Sequence, residues 1–463
     1  MTTWERARPE RMPQHFAREA MLVGLRPPDR FRFTHIEIGC GRGATLRVLA
    51  AACPKATVVG VEGDGRQDGW GLENLSFLSA DAALPTADSI YVSGAHRFPA
   101  LETLIERAAH ALRPGGVLML ESELAPGRHH MAPLREAAAT LRAYGADPLA
   151  TLSILLKSDE AFARLPAVEA TMQAWERVSA DEAAAALDMP PPLPGVGTLI
   201  LAAERAGLRV CGPLFAPTPA GEAFSATFAP GVPDLAAREG IASLAKGEPF
   251  RTLVCAKPDP DAKEGGGLLV TGADIVGFDR PARWADEVSD PGEALSDQFD
   301  LADRAIAVEP VLQAVMDGRA PKTDLEVVTH RVGEALRRRT GVTWGGPPHD
   351  PEPQPQLSHP IAGRLLADPA AARYGVVLPA SALAGGVSLP PGMAALTAAY
   401  VDGAEDLVAA ARKWLERAAD APPFARPPAV PVAQDPSYDV GTFEDRWLPF
   451  LAMAGVLAPA ATP

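Results

Sequence analysis

The stretch Glu37-Ile38-Gly39-Cys40-Gly41-Arg42-Gly43 joins a β-prone run that begins at Thr34 to a segment with helical spacing, residues 44–52. Glycine permits tight turns and lets a ligand approach the backbone, and the first N–H groups of a helix can bind a polar ligand. The stretch therefore predicts a ligand site where the strand meets the helix, with Gly39, Gly41 and Gly43 as binding residues. The same letters also fit a relaxed dinucleotide-binding fingerprint.

Further β-prone and helical segments alternate along the chain after this stretch. Runs typical of strands lie at residues 57–62, 75–79, 89–93 and 117–121, and a helix is predicted over about 100–112. This alternation predicts an α/β fold with a Rossmann-like, mostly parallel sheet. The runs at 208–210 and 250–255 are predicted to add an antiparallel pair to the edge of that sheet.

Composition excludes several classes of protein. The 463 residues allow two to four domains, and 47% hydrophobic with 22% charged residues is typical of a globular chain. The net charge of −15 disfavours nucleic-acid binding, which normally needs a basic surface. With no CxxC pair among the four cysteines and no long apolar run, we expect no metal site and no membrane insertion. A cytoplasmic protein is predicted.

Two acidic residues close to the glycines bear on the choice of ligand. Glu37 precedes the first glycine and is placed to accept a hydrogen bond from a cationic ammonium, whereas it would repel a dinucleotide pyrophosphate. Glu62 ends the second predicted strand, where a carboxylate can bind both hydroxyls of a ribose. Enzymes that bind nicotinamide dinucleotides also have an acid at the position of Glu62. Of these two acids, therefore, only Glu37 argues against a dinucleotide ligand.

These motifs resemble those of class I S-adenosylmethionine-dependent methyltransferases, whose first motif is acidic-x-Gly-x-Gly-x-Gly. The resemblance continues through the segment 74–81 and through Leu112-Arg113-Pro114-Gly115-Gly116-Val117-Leu118, the usual turn into the fifth strand. It implies that S-adenosylmethionine is the cofactor and that Asp81 contacts the adenine amino group. Ser93 follows the fourth strand, at the end where open α/β sheets bind ligands.

A narrower resemblance is to bacterial methyltransferases that carry a regulatory domain, among which are protein lysine methyltransferases. It depends on Met12-Pro13-Gln14-His15 before the first strand and on Leu124-Ala125-Pro126-Gly127-Arg128-His129 after the fifth, with a further similarity at 250–255. The resemblance implies methyl transfer to a protein side-chain amine, an accessory domain similar to a winged helix, and a homodimer.

The chain also departs from that family. Glu121-Ser122 stands where the family has Tyr-Asn, and Arg128 replaces a tryptophan. Only 11 residues separate Glu62 from Asn74. The helix that usually follows the second strand needs about three turns, so we expect it to be vestigial or absent. Trp70, within this short connection, is then a candidate either for stacking on adenine or for packing.

The predicted catalytic residues are His96, His129 and Glu121. Histidine can accept a proton from an incoming amine near neutral pH, and Glu121, expected at the end of the fifth strand, could attract a substrate ammonium. Two alternatives stay open. One is a non-catalytic scaffold or regulatory protein with a degenerate methyltransferase fold. The other is a nicotinamide-dependent oxidoreductase, which Glu37 and the Pro114-Gly115-Gly116 turn oppose.

Five segments are expected on this interpretation. They are a methyltransferase core (1–130), a helical insertion (131–195), a return to the core sheet (196–257), an acidic linker (258–300) and a mostly helical C-terminal accessory domain (301–463).

Overall fold

The structure is a computed structural model of the chain. It describes residues 7–14, 32–63, 65, 67–98, 100–125, 131–147, 193–213, 235–246, 250–259, 275–278, 283–284, 304–307, 341–344, 356–380, 386–420, 440–453 and 455–458.

A seven-stranded sheet forms the amino-terminal part of the molecule. Its strands are β1 (Thr34–Ile38), β2 (Thr57–Val61), β3 (Leu75–Leu78), β4 (Ala87–Val92), β5 (Leu112–Glu123), β6 (Arg209–Pro213) and β7 (Phe250–Ala256). The spatial order is β3-β2-β1-β4-β5-β7-β6. The first five strands pair in parallel, and β7 is antiparallel to both β5 and β6. The predicted Rossmann-like, mostly parallel sheet with an antiparallel pair at its edge is confirmed.

Five α-helices lie among the described residues of this part of the chain. They are α1 (Ala44–Ala52), α2 (Leu101–Ala111), α3 (Met131–Ala143), α4 (Val196–Arg205) and α5 (Leu235–Lys246). Helices α2 and α4 share one apolar cluster with the sheet residues Ile36, Ile90 and Leu118. Helix α1 belongs to a separate cluster with Val58 and Leu75, because alternate residues of a strand point to opposite faces. The sheet is therefore covered on both faces.

Strand β5 is longer than its sequence predicts. The predicted strand ends at residue 121, whereas the observed strand pairs with β7 as far as Glu123. The turn Arg113-Pro114-Gly115-Gly116 lies inside the strand, where the register with β4 shifts between Ala87 and Ser89. Glu121, expected at the end of the strand, lies within β5, two residues before its last residue.

Short strands occur in two segments for which other structure was predicted. Strands β8 (Ile275–Phe278), β9 (Arg283–Trp284), β10 (Arg304–Ala307) and β11 (Gly341–Trp344) form a sheet in the order β11-β8-β10-β9. Two of them lie in the predicted acidic linker, and two lie in residues 301–345, where helical spacing was expected. Isolated β-prone runs of four residues carry little periodic signal, so strand and helix are poorly distinguished there.

The C-terminal region, residues 356–458, has an apolar core of its own. It contains β12 (Gln356–Leu357), α6 (Pro360–Ala367), α7 (Pro369–Tyr374), β13 (Val376–Pro379), β14 (Gly386–Leu389), α8 (Pro391–Val401), α9 (Leu407–Glu416), α10 (Leu448–Met453) and β15 (Leu457–Ala458). Leu378, Leu396, Phe443 and Leu451 are fully buried in this core. Most of the described residues are helical, as expected for 301–463, while the likeness to a winged helix stays a prediction.

The C-terminal region packs against helix α1. Val377 of β13 and Leu365 of α6 belong to the same apolar cluster as Leu46 and Val48 of α1. The backbone approaches so closely that a Cβ added at Gly386 would lie 3.0 Å from Val48 Cγ1 and 3.2 Å from Met12 Cε. One face of the parallel sheet is thus covered by α1, and α1 is covered in turn by the C-terminal region.

Among the residues that the structure describes, no helix is both long enough and apolar enough to cross a membrane.

Candidate functional site

The glycine loop, residues 39–43, connects β1 to α1 at the carboxyl end of the parallel strands. Gly39, Gly41 and Gly43 have φ angles of +75°, +57° and +76°, a region that favours glycine. Gly43 is the residue that caps the amino end of α1. The loop therefore brings backbone and helix N–H groups to the sheet edge where ligands of open α/β proteins bind.

At two of the three glycines, neighbouring atoms of the protein leave no space for a side chain. A Cβ at Gly39 would lie 2.6 Å from the carbonyl oxygen of Ser93, and a Cβ at Gly43 would lie 2.6 Å from the ring of Phe77. Ser93 is buried, and its N–H donates to Ile38 O at 2.8 Å. The candidate residues Gly39 and Ser93 are thus brought into contact at the ends of β1 and β4.

The peptide groups of Gly41 are bound by side chains from the connection between β2 and β3. Gly41 N–H donates to Glu62 Oε2 at 2.9 Å, and Gln67 Nε2 donates to Gly41 O at 3.3 Å. Glu62 is partly exposed and directly follows β2, at the carboxyl end of the sheet. This arrangement fixes an acidic side chain next to the glycine loop, as the sequence motifs predict.

Glu37 lies in a buried polar group that the sequence analysis did not identify. Arg11, in the short 3₁₀ helix Pro9–Arg11, donates from Nη1 to Glu37 Oε1 at 3.2 Å and from Nη2 to Glu121 Oε1 at 2.9 Å. The Tyr91 hydroxyl donates to the second carboxylate oxygen of Glu121. Glu37 is only 1% exposed and Glu121 only 8%, so both acids depend on these partners.

Strand register explains why these side chains meet. Glu37 of β1 pairs with Tyr91 of β4, which pairs with Met119 of β5. Side chains at paired positions share a face, and Glu121 is the next residue of β5 on that face toward its carboxyl end. Arg11 contacts all three of Glu37, Tyr91 and Glu121, with its guanidinium carbon 5.5 Å from the centre of the Tyr91 ring. Burial raises the pKa of the Tyr91 hydroxyl well above its usual value, so Tyr91 stays a proton donor.

The predicted base His96 is bound to the backbone of β5. Glu123 N–H donates to His96 Nδ1 at 2.8 Å. In the neutral imidazole this contact requires the lone pair at Nδ1 and places the proton on Nε2. His96 therefore presents a donor at Nε2, and it could accept a substrate proton only by exchanging this bond. Glu123 also pairs with Arg135 Nη2 at 3.5 Å. The other predicted histidine, His129, lies outside the described residues.

Asp81 lies in the turn that follows β3 and is fully exposed. A hydrogen bond from the Ser79 side chain lowers the pKa of the Asp81 carboxyl. Arg107 of α2 donates to the carbonyl oxygens of Ala80 and Ala82 on either side. In the strand order β3-β2-β1-β4-β5, Asp81 follows β3, so the glycine loop after β1 lies between it and both Glu121 of β5 and His96, which follows β4.

The short connection, residues 62–74, contains no helix among its described residues, as the sequence predicts. Trp70 adopts a left-handed conformation with φ of +56°. Its ring is 4.8 Å from the guanidinium carbon of Arg47 and 4.3 Å from that of Arg364. The packing role that was one of the two expectations for Trp70 is therefore observed.

Solved structures of other proteins share this architecture. The structure of PKMT2 from Rickettsia typhi in complex with AdoHcy matches over 98% of this chain and 98% of its own, with a TM-score of 0.62 and 14% identity. A second structure of the same rickettsial protein matches over 98% and 100%, with a TM-score of 0.63 and 14% identity. No family model matches the sequence, and no curated protein matches it. The chain therefore has the fold of the class I S-adenosylmethionine-dependent methyltransferases, and this similarity shows the fold alone.

Proposed function

We propose that the protein binds S-adenosylmethionine at the glycine loop and transfers its methyl group to the side-chain amine of a protein lysine. The observation that carries this proposal is the arrangement of Glu62 and the glycine loop at the carboxyl end of the sheet, with the Gly41 N–H bound to Glu62. A carboxylate in this place can accept hydrogen bonds from the two hydroxyls of a ribose. Glycine, as at position 41 on the other side, is the residue type that lets a ligand approach the backbone closely.

The charge of the buried polar group favours a cationic ligand. Glu37 and Glu121 supply two carboxylates against the one guanidinium of Arg11, so these three groups carry a formal negative charge. A sulfonium and a lysine ammonium are both positive, and attraction to negative charge is stronger at a buried sheet edge than in water. A dinucleotide pyrophosphate would be repelled, which disfavours the nicotinamide alternative.

The demands of the reaction agree with the residues present. When bound, S-adenosylmethionine supplies an activated methyl group: an amine nitrogen bonds to the methyl carbon as the C–S bond breaks, with its electron pair going to sulfur. The protein therefore has to orient the two reactants and let the lysine ammonium lose a proton. Glu62 and the glycine loop are the groups placed to hold the cofactor. Glu121 is fixed by Arg11 and Tyr91, and is suited to orienting a cationic amine.

The fold similarity supports the proposal at a coarser level. The matched rickettsial structure holds AdoHcy, the product left when S-adenosylmethionine donates its methyl group. We extend that ligand to this chain because the glycine loop and Glu62 occur at the expected positions in the fold. The choice of lysine depends on the narrower sequence resemblance.

One observation favours a second candidate function, a regulatory protein that has kept the fold without the activity. Arg11 already supplies a cation to Glu37, the acid that the motif assigns to a ligand ammonium. A protein of this kind would bind the cofactor or its product without transferring a methyl group.

A transfer assay separates the two functions. The full chain is incubated with lysate and S-adenosylmethionine labelled with tritium in its methyl group, and labelled protein is hydrolysed to identify the modified amino acid. Label in methyl-lysine supports the proposal. Label in another residue or in small molecules contradicts the choice of lysine. AdoHcy binding without any transfer supports the regulatory function.

A matched pair of variants ties the activity to the site. Glu62→Ala removes the carboxylate at the glycine loop, and we expect the KM for S-adenosylmethionine to rise about tenfold, since a charged hydrogen bond contributes roughly 1.5–3 kcal/mol. Glu73→Ala removes an exposed acid from the same connection and should leave KM unchanged. Equal KM values for the two variants would contradict the role of Glu62.

A further inference from the structure

Trp70 lies between two arginines that come from different parts of the fold. Arg47 belongs to α1, which packs on the seven-stranded sheet, and Arg364 belongs to α6 of the C-terminal region. Their guanidinium carbons are 4.8 Å and 4.3 Å from the centre of the indole ring. Arginine stacks favourably on tryptophan because its planar cation faces the negative face of the ring. We call this arrangement the Trp70 stack.

The Trp70 stack is bonded to the glycine loop through the short connection. Arg47 donates from Nε and Nη2 to Asp68 O at 2.9 Å and 2.6 Å, and Trp70 N–H donates to Asp68 Oδ1 at 2.8 Å. One residue earlier, Gln67 Nε2 donates to Gly41 O. A continuous series of contacts therefore leads from Arg364 to the loop that we assign to the cofactor.

The left-handed backbone at Trp70 shows that its surroundings hold it in place. Residues other than glycine rarely adopt a φ of +56°, and a bulky side chain does so only where its contacts outweigh the cost. Trp70 is held by its N–H bond to Asp68 Oδ1 and by the two stacked guanidinium groups. Removing one of them should therefore loosen the short connection.

The C-terminal region packs on the helix beside which a second crossover helix would have lain. Successive right-handed crossovers from β1 to β2 and from β2 to β3 run in the same direction, so a helix after β2 would lie beside α1 on the same face. Leu365 and Val377 of the C-terminal region pack with α1 in one apolar cluster. Helix α1 therefore packs against the C-terminal region, while the described residues of the crossover after β2 supply no helix beside it.

We propose that Arg364 is a positioning residue for the cofactor: by stacking on Trp70 it holds the short connection, and with it Gln67 and Glu62, against the glycine loop. The inference rests on the proposed function, because the loop is assigned to S-adenosylmethionine there. It makes cofactor affinity depend on a residue of the C-terminal region that lies outside the methyltransferase fold itself.

The test compares AdoHcy binding to full-length variants by isothermal titration. Arg364→Ala removes the stacking cation from an exposed position, and we expect Kd to rise about fivefold, in keeping with the strength of a partly exposed cation–π contact. Arg364→Lys keeps the charge and should recover part of the loss. Arg373→Ala is the matched control, because the Arg373 guanidinium lies 5.4 Å from the Tyr374 ring, a similar contact entirely within the C-terminal region. The Kd of Arg373→Ala for AdoHcy should equal that of the wild type.

A second readout reports on the short connection without any cofactor. In Arg364→Ala, backbone amides of residues 67–75 should exchange with deuterium faster than in the wild type, while those of β1 and β4 should not change. Equal Kd values for the wild type and Arg364→Ala, or unchanged exchange at 67–75, would overturn the role of Arg364. A wild-type chain that binds no AdoHcy would instead overturn the proposed function, so the two failures are distinguishable.

Discussion

Arg11 donates a hydrogen bond of 2.9 Å to Glu121, from which it is separated by 110 residues of sequence. The same guanidinium binds Glu37, so one arginine of the amino-terminal segment joins β1 to β5. Both carboxylates are buried, and a buried charge without a partner costs far more than the pair itself contributes. Arg11 therefore stabilises the carboxyl end of the sheet where the candidate site lies.

We predict that Arg11→Met destabilises the protein by about 3–5 kcal/mol, because it leaves Glu37 and Glu121 buried without their cation. The free energy of unfolding in urea measures this loss. Arg205→Met is the control: its pair with Glu102 is 66% and 61% exposed, and such pairs contribute about 1 kcal/mol or less. Equal losses in the two variants would show that the buried group is not maintained by Arg11.

His35 should make stability depend on pH. Burial lowers the pKa of this imidazole to about 3, whereas an unfolded histidine has a pKa near 6.5. Between these values the unfolded chain binds a proton that the folded chain does not, so stability falls as the pH falls below about 6.5. The slope from this one group approaches 1.4 kcal/mol per pH unit.

The variant His35→Asn keeps a polar group near Ser89, which lies 2.9 Å from His35 Nδ1, and removes the titration. Denaturation at pH 7.0 and 5.0 should show a smaller pH-dependent loss in this variant than in the wild type. His110→Asn, at an exposed position, should keep the wild-type dependence. A pH dependence that persists unchanged in His35→Asn would contradict the assignment.

Gly43→Ala tests the packing of the glycine loop against β3. Its φ of +76° disfavours any side chain by roughly 1–2 kcal/mol, and the new Cβ would also meet the Phe77 ring at 2.6 Å. We expect an additional cost of about 1–3 kcal/mol from that overlap. Gly71→Ala isolates the two effects, since Gly71 has a φ of +77° with open space around it. Stability is measured by thermal or urea unfolding. Equal losses of stability in Gly43→Ala and Gly71→Ala would disprove the contact with Phe77.

The parallel sheet could be predicted because its signals are local. Each strand is a short apolar run followed by a turn or a helix, and the glycine motif marks the junction after β1. The absence of a helix from the described residues between Glu62 and Asn74 follows from the length of this connection alone. Both boundaries of β5 were missed. At its start, Pro114 and Gly115 indicate a turn, although the strand begins at Leu112. At its end, pairing with β7 continues the strand as far as Glu123.

The buried polar group could not be predicted in the same way. Arg11 lies 26 residues from Glu37 and 110 residues from Glu121, and no local pattern connects them. The packing over α1 did leave one signal in the sequence: the helix reads Ala-Thr-Leu-Arg-Val-Leu-Ala-Ala-Ala, in which only Thr45 and Arg47 are polar. A helix with so few polar residues is typically buried on most of its sides. That pattern indicates a second layer outside α1, but it does not identify Leu365 and Val377 as the residues that form it.

The central claim is that the glycine loop binds S-adenosylmethionine, and titration calorimetry with AdoHcy on the Gly41→Val variant tests it most directly. A valine here would occupy the side of the loop where the ligand is expected, and we predict that binding is lost. Gly207→Val serves as the control for strain, because Gly207, in the turn between α4 and β6, also has a positive φ but faces open space, and it should bind AdoHcy as the wild type does. Heat of binding from the wild type and Gly207→Val, with none from folded Gly41→Val, is the predicted result. No heat from the wild type, or undiminished affinity in Gly41→Val, would contradict it.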